Sequence, residues 1–216
     1  MKFKAVIFDL DGTLVNSLED IADAMNIVLQ ANNYPTHNYE TYNYFIGSGI
    51  RNLVAKALPT EHNEESEIAR CFDAMMVVYR DNCILKTKPY DGIIALLDTL
   101  VSRKLKLSIL SNKSDEFTKI MVHAIFPDYF EPVIGLTTEE HKKPNPFTVL
   151  QIGKDLGVTP QEIIFVGDSD VDMQTATNAA MYPVGVSWGY RPKETLIAEG
   201  AKYILNHPLD LITLLE

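Results

Sequence analysis

Two aspartates near the amino terminus have a spacing that suits chemistry. The segment KAVIFDLDGTL, residues 4–14, places Asp9 and Asp11 directly after an apolar run of strand length. Two carboxylates this close repel each other, and each raises the pKa of the other unless a cation lies between them. Together with Asp168 of a later motif, Asp9 suits a hard cation that prefers oxygen ligands, such as Mg²⁺. An isolated D-x-D-G can also be a surface turn, so the interpretation depends on what the rest of the chain adds.

Three further polar motifs each follow an apolar run, and their residue types complement the two acids. A hydroxyl, backbone N–H groups and a lysine are the parts of a phosphate-binding site. Acids that suit a metal, combined with such a site, indicate phosphoryl transfer. The motifs are Ser111, Asn112 and Lys113 after LKLSIL; Lys143 and Pro144 after PVIGLTTEEHK; and GDSDVD after IIFV, which supplies Asp168, Asp170 and Asp172.

The elements that must position these motifs indicate an α/β fold with a doubly wound, Rossmann-like parallel sheet. Strand-length apolar runs alternate with helical segments, which predicts parallel strands, right-handed crossovers and helices on both faces. Ligands bind at the carboxyl ends of such strands, so the four motifs should converge on one edge. In the helical segment 91–104, Ile94, Leu97 and Val101 are expected on one face. The expected strands are 4–8, 105–110, 132–136, 162–167 and 182–187, and the expected helices are 91–104, 145–157 and 172–181.

Residues 15–86 interrupt this alternation and contain no convincing strand. Helical spacing is clearest in 17–33, where Ile21, Met25, Val28 and Leu29 repeat on one face, and 49–58 and 64–84 also have helical character. We therefore expect an all-helical cap domain, 15–86, inserted into a core of 1–14 and 87–216. Likewise, 13–17 and 83–90 are the expected connectors.

Composition restricts the partners. The chain has 216 residues, 46% of them hydrophobic, and a formal net charge of -10. That charge argues against non-specific nucleic-acid binding and against attraction to an anionic membrane, and it means that an anionic substrate needs a local cationic site. No signal peptide and no apolar stretch of membrane-spanning length is expected. Cys71 and Cys83 fit free thiols in a reducing compartment, so the expected location is cytoplasmic. The expected oligomeric state is a monomer or a homodimer.

The four motifs, D-x-D-G-T, S-N, K-P and G-D-x-x-x-D in this order, resemble those of the haloacid dehalogenase superfamily of Asp-dependent phosphatases. The resemblance implies a Rossmann-like core, an inserted helical cap and Mg²⁺ as cofactor. It implies that Asp9 is the nucleophile that forms an aspartyl-phosphate, and that Asp11 protonates the leaving alkoxide and then activates water. A halide leaving group needs no proton, so Asp11 favours a phosphatase or mutase over a dehalogenase.

The remaining roles also come from the resemblance. Asp9, the backbone carbonyl of Asp11, and Asp168 match the Mg²⁺ ligands. The phosphate binders match Ser111, the backbone of Asn112, and Lys143. Behind them, Thr13 and Asp172 match supporting positions, with Asp172 orienting Lys143 or metal-bound water.

The substrate is expected to be a small phosphorylated metabolite. YNYFIGSGIRNLVAKAL, residues 42–58, and the tail 188–216 resemble phosphoglycolate phosphatases, which makes 2-phosphoglycolate the first candidate. Gly49 and Arg51 could place a helix N-terminus and a guanidinium near a substrate carboxylate, or they could be an inter-helix turn and a solvated charge. Lys113 could contact substrate or cap a helix. A sugar-phosphate mutase, a pyrophosphatase and a catalytically silent binding module remain alternatives.

Overall fold

The computed structural model describes residues 2–215, and this part of the chain forms two compact units. One unit comprises the chain up to Asn16 and from Pro89 onward, and the other is Ser17–Lys88. Each junction lies two residues after the boundary expected from the sequence. That the second unit serves as a cap stays a prediction.

Strands and helices are numbered here in chain order. None of the helices within residues 2–215 is long and apolar enough to cross a bilayer. The strands are β1 Ala5–Phe8, β2 Val15–Asn16, β3 Lys88–Pro89, β4 Lys106–Ser114, β5 Val133–Leu136, β6 Ile163–Gly167, β7 Tyr182–Val186 and β8 Tyr203–Leu205. The helices are α1 Leu18–Ala31, α2 Tyr39–Phe45, α3 Ile50–Ala57, α4 Glu65–Asn82, α5 Ile93–Ser102, α6 Asp115–Ile125, α7 Phe147–Asp155, α8 Asp170–Asn178 and α9 Lys193–Ala198.

The first unit is built on a six-stranded sheet of order β5-β4-β1-β6-β7-β8. Every neighbouring pair in it is parallel. β1 is central, and its four residues are all buried, because a parallel strand covered on both faces needs apolar side chains in both directions. The α/β, doubly wound fold predicted from the sequence is confirmed.

Two hydrophobic clusters cover opposite faces of this sheet. Val6 and Phe8 of β1 belong to one cluster, which includes buried residues of α5 and α6. Ala5 and Ile7 belong to the other, which includes Val149 of α7 and residues of α8. Successive residues of a strand point to opposite faces, so β1 supplies both layers of the core.

The prediction of which face α5 buries is wrong. Ile94 is 40% exposed and Val101 is 49% exposed, and only Leu97 of the expected set is buried. The helix instead buries Ile93, Leu96, Leu97 and Leu100, which also follow helical spacing. Because α5 is apolar at seven of its ten positions, its periodicity fits more than one face.

Strand assignments differ from the sequence expectation in three places. β4 continues through the Ser111 motif to Ser114, whereas the predicted strand ends at 110. β8 has no counterpart in the prediction. Residues 15–86 were expected to hold no strand, yet β2 begins at Val15 and pairs with β3 in a two-stranded sheet. A two-residue strand carries too short a pattern to be recognised, since its pairing depends on a distant partner.

The Ser17–Lys88 unit is helical, with α1 to α4 packed around their own buried side chains. Ile21, Met25, Val28 and Leu29 of α1 are all buried, as their spacing predicts. A buried carboxylate, Asp20, ties α1 to the end of this unit. Its oxygens accept hydrogen bonds from the backbone N–H of Lys86 at 3.0 Å, and from the backbone N–H and hydroxyl of Thr87 at 2.8 and 2.7 Å.

Candidate active site

The register of the sheet determines which motifs meet. Phe8, the last residue of β1, lies opposite Ile109 of β4 and Val166 of β6. Asp9 continues the ladder, with its N–H donating to the carbonyl of Val166 at 2.9 Å. Since all three strands are parallel, the residues that follow them emerge on the same edge.

A buried lysine joins two of the predicted acids. The Nζ of Lys143 donates to Oδ1 of Asp9 at 2.8 Å and to Oδ1 of Asp172 at 2.6 Å. Burial raises the pKa of Asp9 to about 7, although the charge of Lys143 acts to lower it. Burial also acts to lower the pKa of Lys143, but the charges of Asp172 and Asp9 outweigh it and raise that pKa above its usual range. The lysine is therefore a fixed cation.

Asn112 holds the segment that carries this lysine. Its Oδ1 accepts the backbone N–H of Lys143 at 2.9 Å, and its Nδ2 donates to the backbone carbonyl of Lys143 at 3.3 Å. The side chain of Asn112 thus joins the second motif to the third. The role expected from the sequence, phosphate binding by the Asn112 backbone, stays a prediction. Ser111 is buried beside it, and its Oγ accepts the N–H of Lys113 at 3.2 Å.

Asp172 is fixed from its other oxygen by the start of α8. This helix begins at Asp170, two residues before the predicted start, so Asp172 lies in its first turn. Oδ2 of Asp172 accepts the N–H of Ser169 at 3.1 Å and the Ser169 hydroxyl at 2.5 Å, which closes a capping box. Both oxygens of Asp172 are therefore engaged, one by the helix cap and one by Lys143.

Asp168 lies beside these groups and is held by neutral donors. Oδ1 accepts the Thr13 hydroxyl at 3.3 Å, and Oδ2 accepts the N–H of Tyr190 at 2.8 Å. Burial, followed by the charges of Asp172 and Asp9, raises the pKa of Asp168 well above its usual value. Its ionised form has too little positive charge around it.

Three acids form a group that could hold a metal ion. Each of Asp9, Asp168 and Asp172 offers an oxygen within 4.8 Å of the others, and all three are buried. Asp172 is already engaged, so Asp9 and Asp168 are the carboxylates best placed to bind a cation. Their raised pKa values mark a deficit of positive charge, and a hard divalent ion with oxygen preference fits it. The part assigned to the Asp11 carbonyl stays a prediction.

Asp11 and Lys113 form a second pair at the same edge. Lys113 Nζ lies 3.0 Å from Oδ1 and 3.1 Å from Oδ2 of Asp11. From the sequence, Lys113 is expected to contact substrate or to cap a helix. The structure places its ammonium group against the carboxylate that was predicted to transfer protons.

The loop after β7 contributes to the site and was missed by the sequence analysis. Trp188 donates from Nε1 to the carbonyl of Thr13 at 3.1 Å, and Tyr190 donates its N–H to Asp168. Gly189 lies between them, where a Cβ would come within 2.2 Å of the Cβ of Asp168. The available signal was position, because this loop follows a predicted parallel strand and must emerge on the same edge.

The two tentative residues of the other unit lie near the start of α3. Gly49 precedes the helix with a φ of 82°, a left-handed value that favours glycine. Arg51 pairs with Glu65, and its guanidinium carbon lies 5.9 Å from the centre of the Phe72 ring. These contacts account for the Arg51 side chain within its own unit, and its contact with substrate stays a prediction.

One groove of the structure lies away from this chemistry. A groove of about 880 Å³ is lined by Lys106 at the start of β4, by Phe126 and Pro132, and by Leu156 after α7. Those residues belong to the amino-terminal end of the strands and contain none of the motifs. The candidate site is identified by its charges and hydrogen bonds, not by this groove.

Comparison with known proteins gives consistent matches over the whole chain. The family model described as haloacid dehalogenase-like hydrolase matches residues 6–186. The chain is 31% identical to a phosphoglycolate phosphatase of Aquifex aeolicus over 99% of this chain and 97% of that protein. It is 27% identical to an N-acetylmuramic acid 6-phosphate phosphatase of Pseudomonas aeruginosa over 100% of this chain and 96% of that protein.

A solved structure is similar over the same extent. It is described as "a predicted phosphoglycolate phosphatase from haemophilus somnus 129pt" and has a TM-score of 0.92 at 26% identity. The similarity covers 100% of this chain and 99% of that one. Both units of the described chain are therefore included in the match.

Proposed function

Because the chain belongs to the haloacid dehalogenase-like hydrolases, we propose that it is a Mg²⁺-dependent phosphomonoesterase with 2-phosphoglycolate as its first candidate substrate. The observation that carries the proposal is the buried contact of Lys143 with Asp9 and Asp172 beside Asp168. A nucleophile, a fixed cation and a second acid meet at one strand edge, as phosphoryl transfer requires. The names of the relatives support the substrate.

In the first half of the reaction, a carboxylate oxygen of Asp9 attacks phosphorus and the bond to the ester oxygen breaks. Asp11 in its protonated form gives its proton to the departing alkoxide. Lys143 offsets the negative charge of the transferring group, and its two hydrogen bonds hold Asp9 in place. The product is an aspartyl-phosphate on Asp9 and the free alcohol.

In the second half, water attacks the phosphorus of this intermediate. Asp11, now a carboxylate, takes the proton from that water. The bond between phosphorus and the Asp9 oxygen breaks, inorganic phosphate leaves, and both Asp9 and Asp11 return to their starting states. Ser111 and the Asn112 backbone are proposed to bind the phosphate oxygens during both steps.

Asp9 and Asp168 are the side chains proposed to hold Mg²⁺, together with the Asp11 carbonyl. When bound, the ion would supply positive charge to the transferring phosphoryl group and to the acids around it. Thr13 and the Tyr190 N–H orient Asp168 for this task. The Ser17–Lys88 unit is proposed to act as the cap that selects the substrate, with Arg51 as the candidate contact for a carboxylate.

The decisive experiment measures phosphate release from a panel of compounds with Mg²⁺ and with EDTA. The panel contains 2-phosphoglycolate, N-acetylmuramic acid 6-phosphate, a hexose phosphate and pyrophosphate. We expect Mg²⁺-dependent release that is largest for 2-phosphoglycolate. Asp9→Asn should lose roughly 10⁴-fold or more of this activity while it keeps the fold.

Asp170→Asn is the matched control, because Asp170 is in the same motif as Asp168, has a 43% exposed side chain and serves no step. Full activity in Asp9→Asn would disprove the nucleophile. Conversion of a hexose phosphate to its isomer would indicate a mutase, and preference for pyrophosphate a pyrophosphatase. Mg²⁺ binding without turnover of any compound would indicate a binding module.

A further inference from the structure

Lys113 is a buried cation that the proposed reaction does not use. Its side chain is 2% exposed, and Asp11, whose side chain is 14% exposed, is 3.0 Å away. A buried ammonium group loses its hydration and is costly unless an anion compensates it. Both carboxylate oxygens of Asp11 lie within hydrogen-bonding distance of Nζ. The pair is therefore a built contact rather than a chance meeting of surface charges.

The backbone that carries Lys113 is held firmly. The residue lies within β4, which pairs with β1. Its N–H donates to the Ser111 hydroxyl, and its carbonyl accepts the hydroxyl of fully buried Thr118 at 3.2 Å. Asp11 lies three residues after Phe8 and Lys113 four residues after the Ile109 that pairs with Phe8, so the sheet itself brings the two together.

The two lysines of the site contact different acids. Lys143 contacts Asp9 and Asp172, whereas Lys113 contacts Asp11. A cation that approaches both oxygens of a carboxylate restricts its position and rotation. Proton transfer needs the donor oxygen within hydrogen-bonding reach of the leaving oxygen, and small displacements are costly.

We propose that Lys113 is a positioning residue that holds the Asp11 carboxylate where it can exchange a proton with the leaving group. This role rests on the proposed function, because it needs a phosphoester whose alcohol leaves. It differs from a contact with the phosphoryl group, which would affect binding of every phosphoester to a similar degree. Dependence on the leaving group separates the two.

The test compares Lys113→Met with wild type on 2-phosphoglycolate and on 4-nitrophenyl phosphate in Mg²⁺. The alkoxide of the first substrate must be protonated as it leaves, whereas 4-nitrophenolate is stable without a proton. Comparing kcat/KM isolates the first half of the reaction, up to formation of the aspartyl-phosphate. We expect kcat/KM for 2-phosphoglycolate to fall roughly 10²-fold or more, with a much smaller fall for 4-nitrophenyl phosphate.

Two further variants show whether Lys113 acts through Asp11. Asp11→Asn should reproduce the same leaving-group dependence. The double variant of Lys113→Met with Asp11→Asn should be no slower than Asp11→Asn alone, because the lysine then has no carboxylate to position. Lys119→Met is the control, since Lys119 has a 59% exposed side chain and pairs only with Asp115 one turn away on α6.

Equal losses on both substrates with a raised KM would overturn the proposal in favour of a contact with the phosphoryl group. Additive losses in the double variant would overturn it in favour of a contact with the carboxylate of 2-phosphoglycolate, which does not act through Asp11. If Lys113→Met does not fold, Lys113→Arg decides the question. It keeps the charge in a different shape, so we expect a selective but smaller loss on 2-phosphoglycolate, and an unchanged ratio between the substrates would contradict the proposal. Failure of wild type to hydrolyse either compound would instead disprove the proposed function.

Discussion

Carboxylates at the edge of the sheet and carboxylates in the Ser17–Lys88 unit respond to their surroundings in opposite directions. Burial raises the pKa of Asp9 to about 7 and that of Asp168 well above its usual value. In the helical unit, hydrogen bonds from Arg70 and Tyr34 lower the pKa of Glu67 to about 2. The first group is strained in its ionised form, whereas the second is stabilised in it.

The difference shows where the fold accepts a loss of stability for the sake of another task. Asp20 is also buried, but its neighbours within Ser17–Lys88 supply N–H and hydroxyl donors to its oxygens. At the sheet edge, Lys143 contacts Asp9 and Asp172 while the neighbouring Asp168 contacts neutral donors, so the ionised state of the three acids is incompletely compensated. Sites that act on ligands often accept such a cost, because the ligand or cation removes it.

The strongest way to test this comparison is to remove the shared cation. Lys143→Met leaves Asp9, Asp168 and Asp172 buried without it, and should reduce the free energy of unfolding by about 3–5 kcal/mol. Urea unfolding at pH 7 in EDTA measures the change. The control is Lys142→Met, whose lysine pairs with the mostly exposed Glu139 and should change stability by less than about 1 kcal/mol. Similar effects of the two substitutions would contradict the contrast.

In the helical unit, the buried carboxylate should be stabilising instead. Asp20→Ala leaves the donors of Lys86 and Thr87 without their acceptor and should cost about 2–3 kcal/mol. Thermal unfolding of Asp20→Ala and of a control variant, both at the same pH, measures this cost. Asp23→Ala on the same helix, with an ion pair at the surface, should cost less than about 1 kcal/mol. If Asp20→Ala left the free energy of unfolding unchanged, the comparison between the two regions would lose its basis.

Replacing Asp9, whose ionised form is incompletely compensated, should raise the free energy of unfolding instead of lowering it. Asp9 has a folded pKa of about 7 against an ordinary value of 3.8, so the folded chain binds its proton more tightly than the unfolded chain. Between these pH values the stability of the metal-free protein therefore falls as pH rises. Asp9→Asn should raise stability by ~1–3 kcal/mol at pH 8 in EDTA and flatten this pH dependence. Loss of stability in Asp9→Asn at pH 8 would show that the carboxylate is compensated.

The smallest effect on stability is expected at Arg51. In its ion pair with Glu65, the Arg51 side chain is 38% exposed and the Glu65 side chain is 80% exposed. Arg51→Ala should therefore change stability by less than about 1 kcal/mol. If Arg51 binds the substrate carboxylate as proposed, KM for 2-phosphoglycolate should rise at least ~10-fold with little change for 4-nitrophenyl phosphate. Lys56→Ala on the same helix is the control. An unchanged KM would show that Arg51 does not bind the substrate carboxylate.

The sequence was informative where the chemistry follows directly from a buried strand. Asp9 and Asp168 come just after β1 and β6, and neighbouring parallel strands must release their next residues at one edge. Their proximity could therefore be predicted without a structure. The pairing of Lys143 with Asp172 was suggested only by the family resemblance, because the segment around Lys143 follows no strand closely.

Other features depend on packing that no local pattern records. The buried face of α5 could not be chosen, since apolar residues cover most of the helix and its burial is decided by the layer beneath it. The partner of Lys113 depends on how far each strand extends past the shared register. The contacts of Trp188 and Tyr190 depend on the path of an irregular loop, which sequence periodicity does not describe.

Two glycines next to Asp168 restrict how this site can change over evolution. At Gly12, whose φ is 87°, a Cβ would lie 2.4 Å from Oδ2 of Asp168, and at Gly189 it would lie 2.2 Å from the Cβ of the same residue. Even the smallest substitution at either position would displace the carboxylate, although neither glycine carries a reactive group. A saturation mutagenesis survey should therefore find both positions as intolerant as the acids themselves, and descendants with new substrates should vary elsewhere.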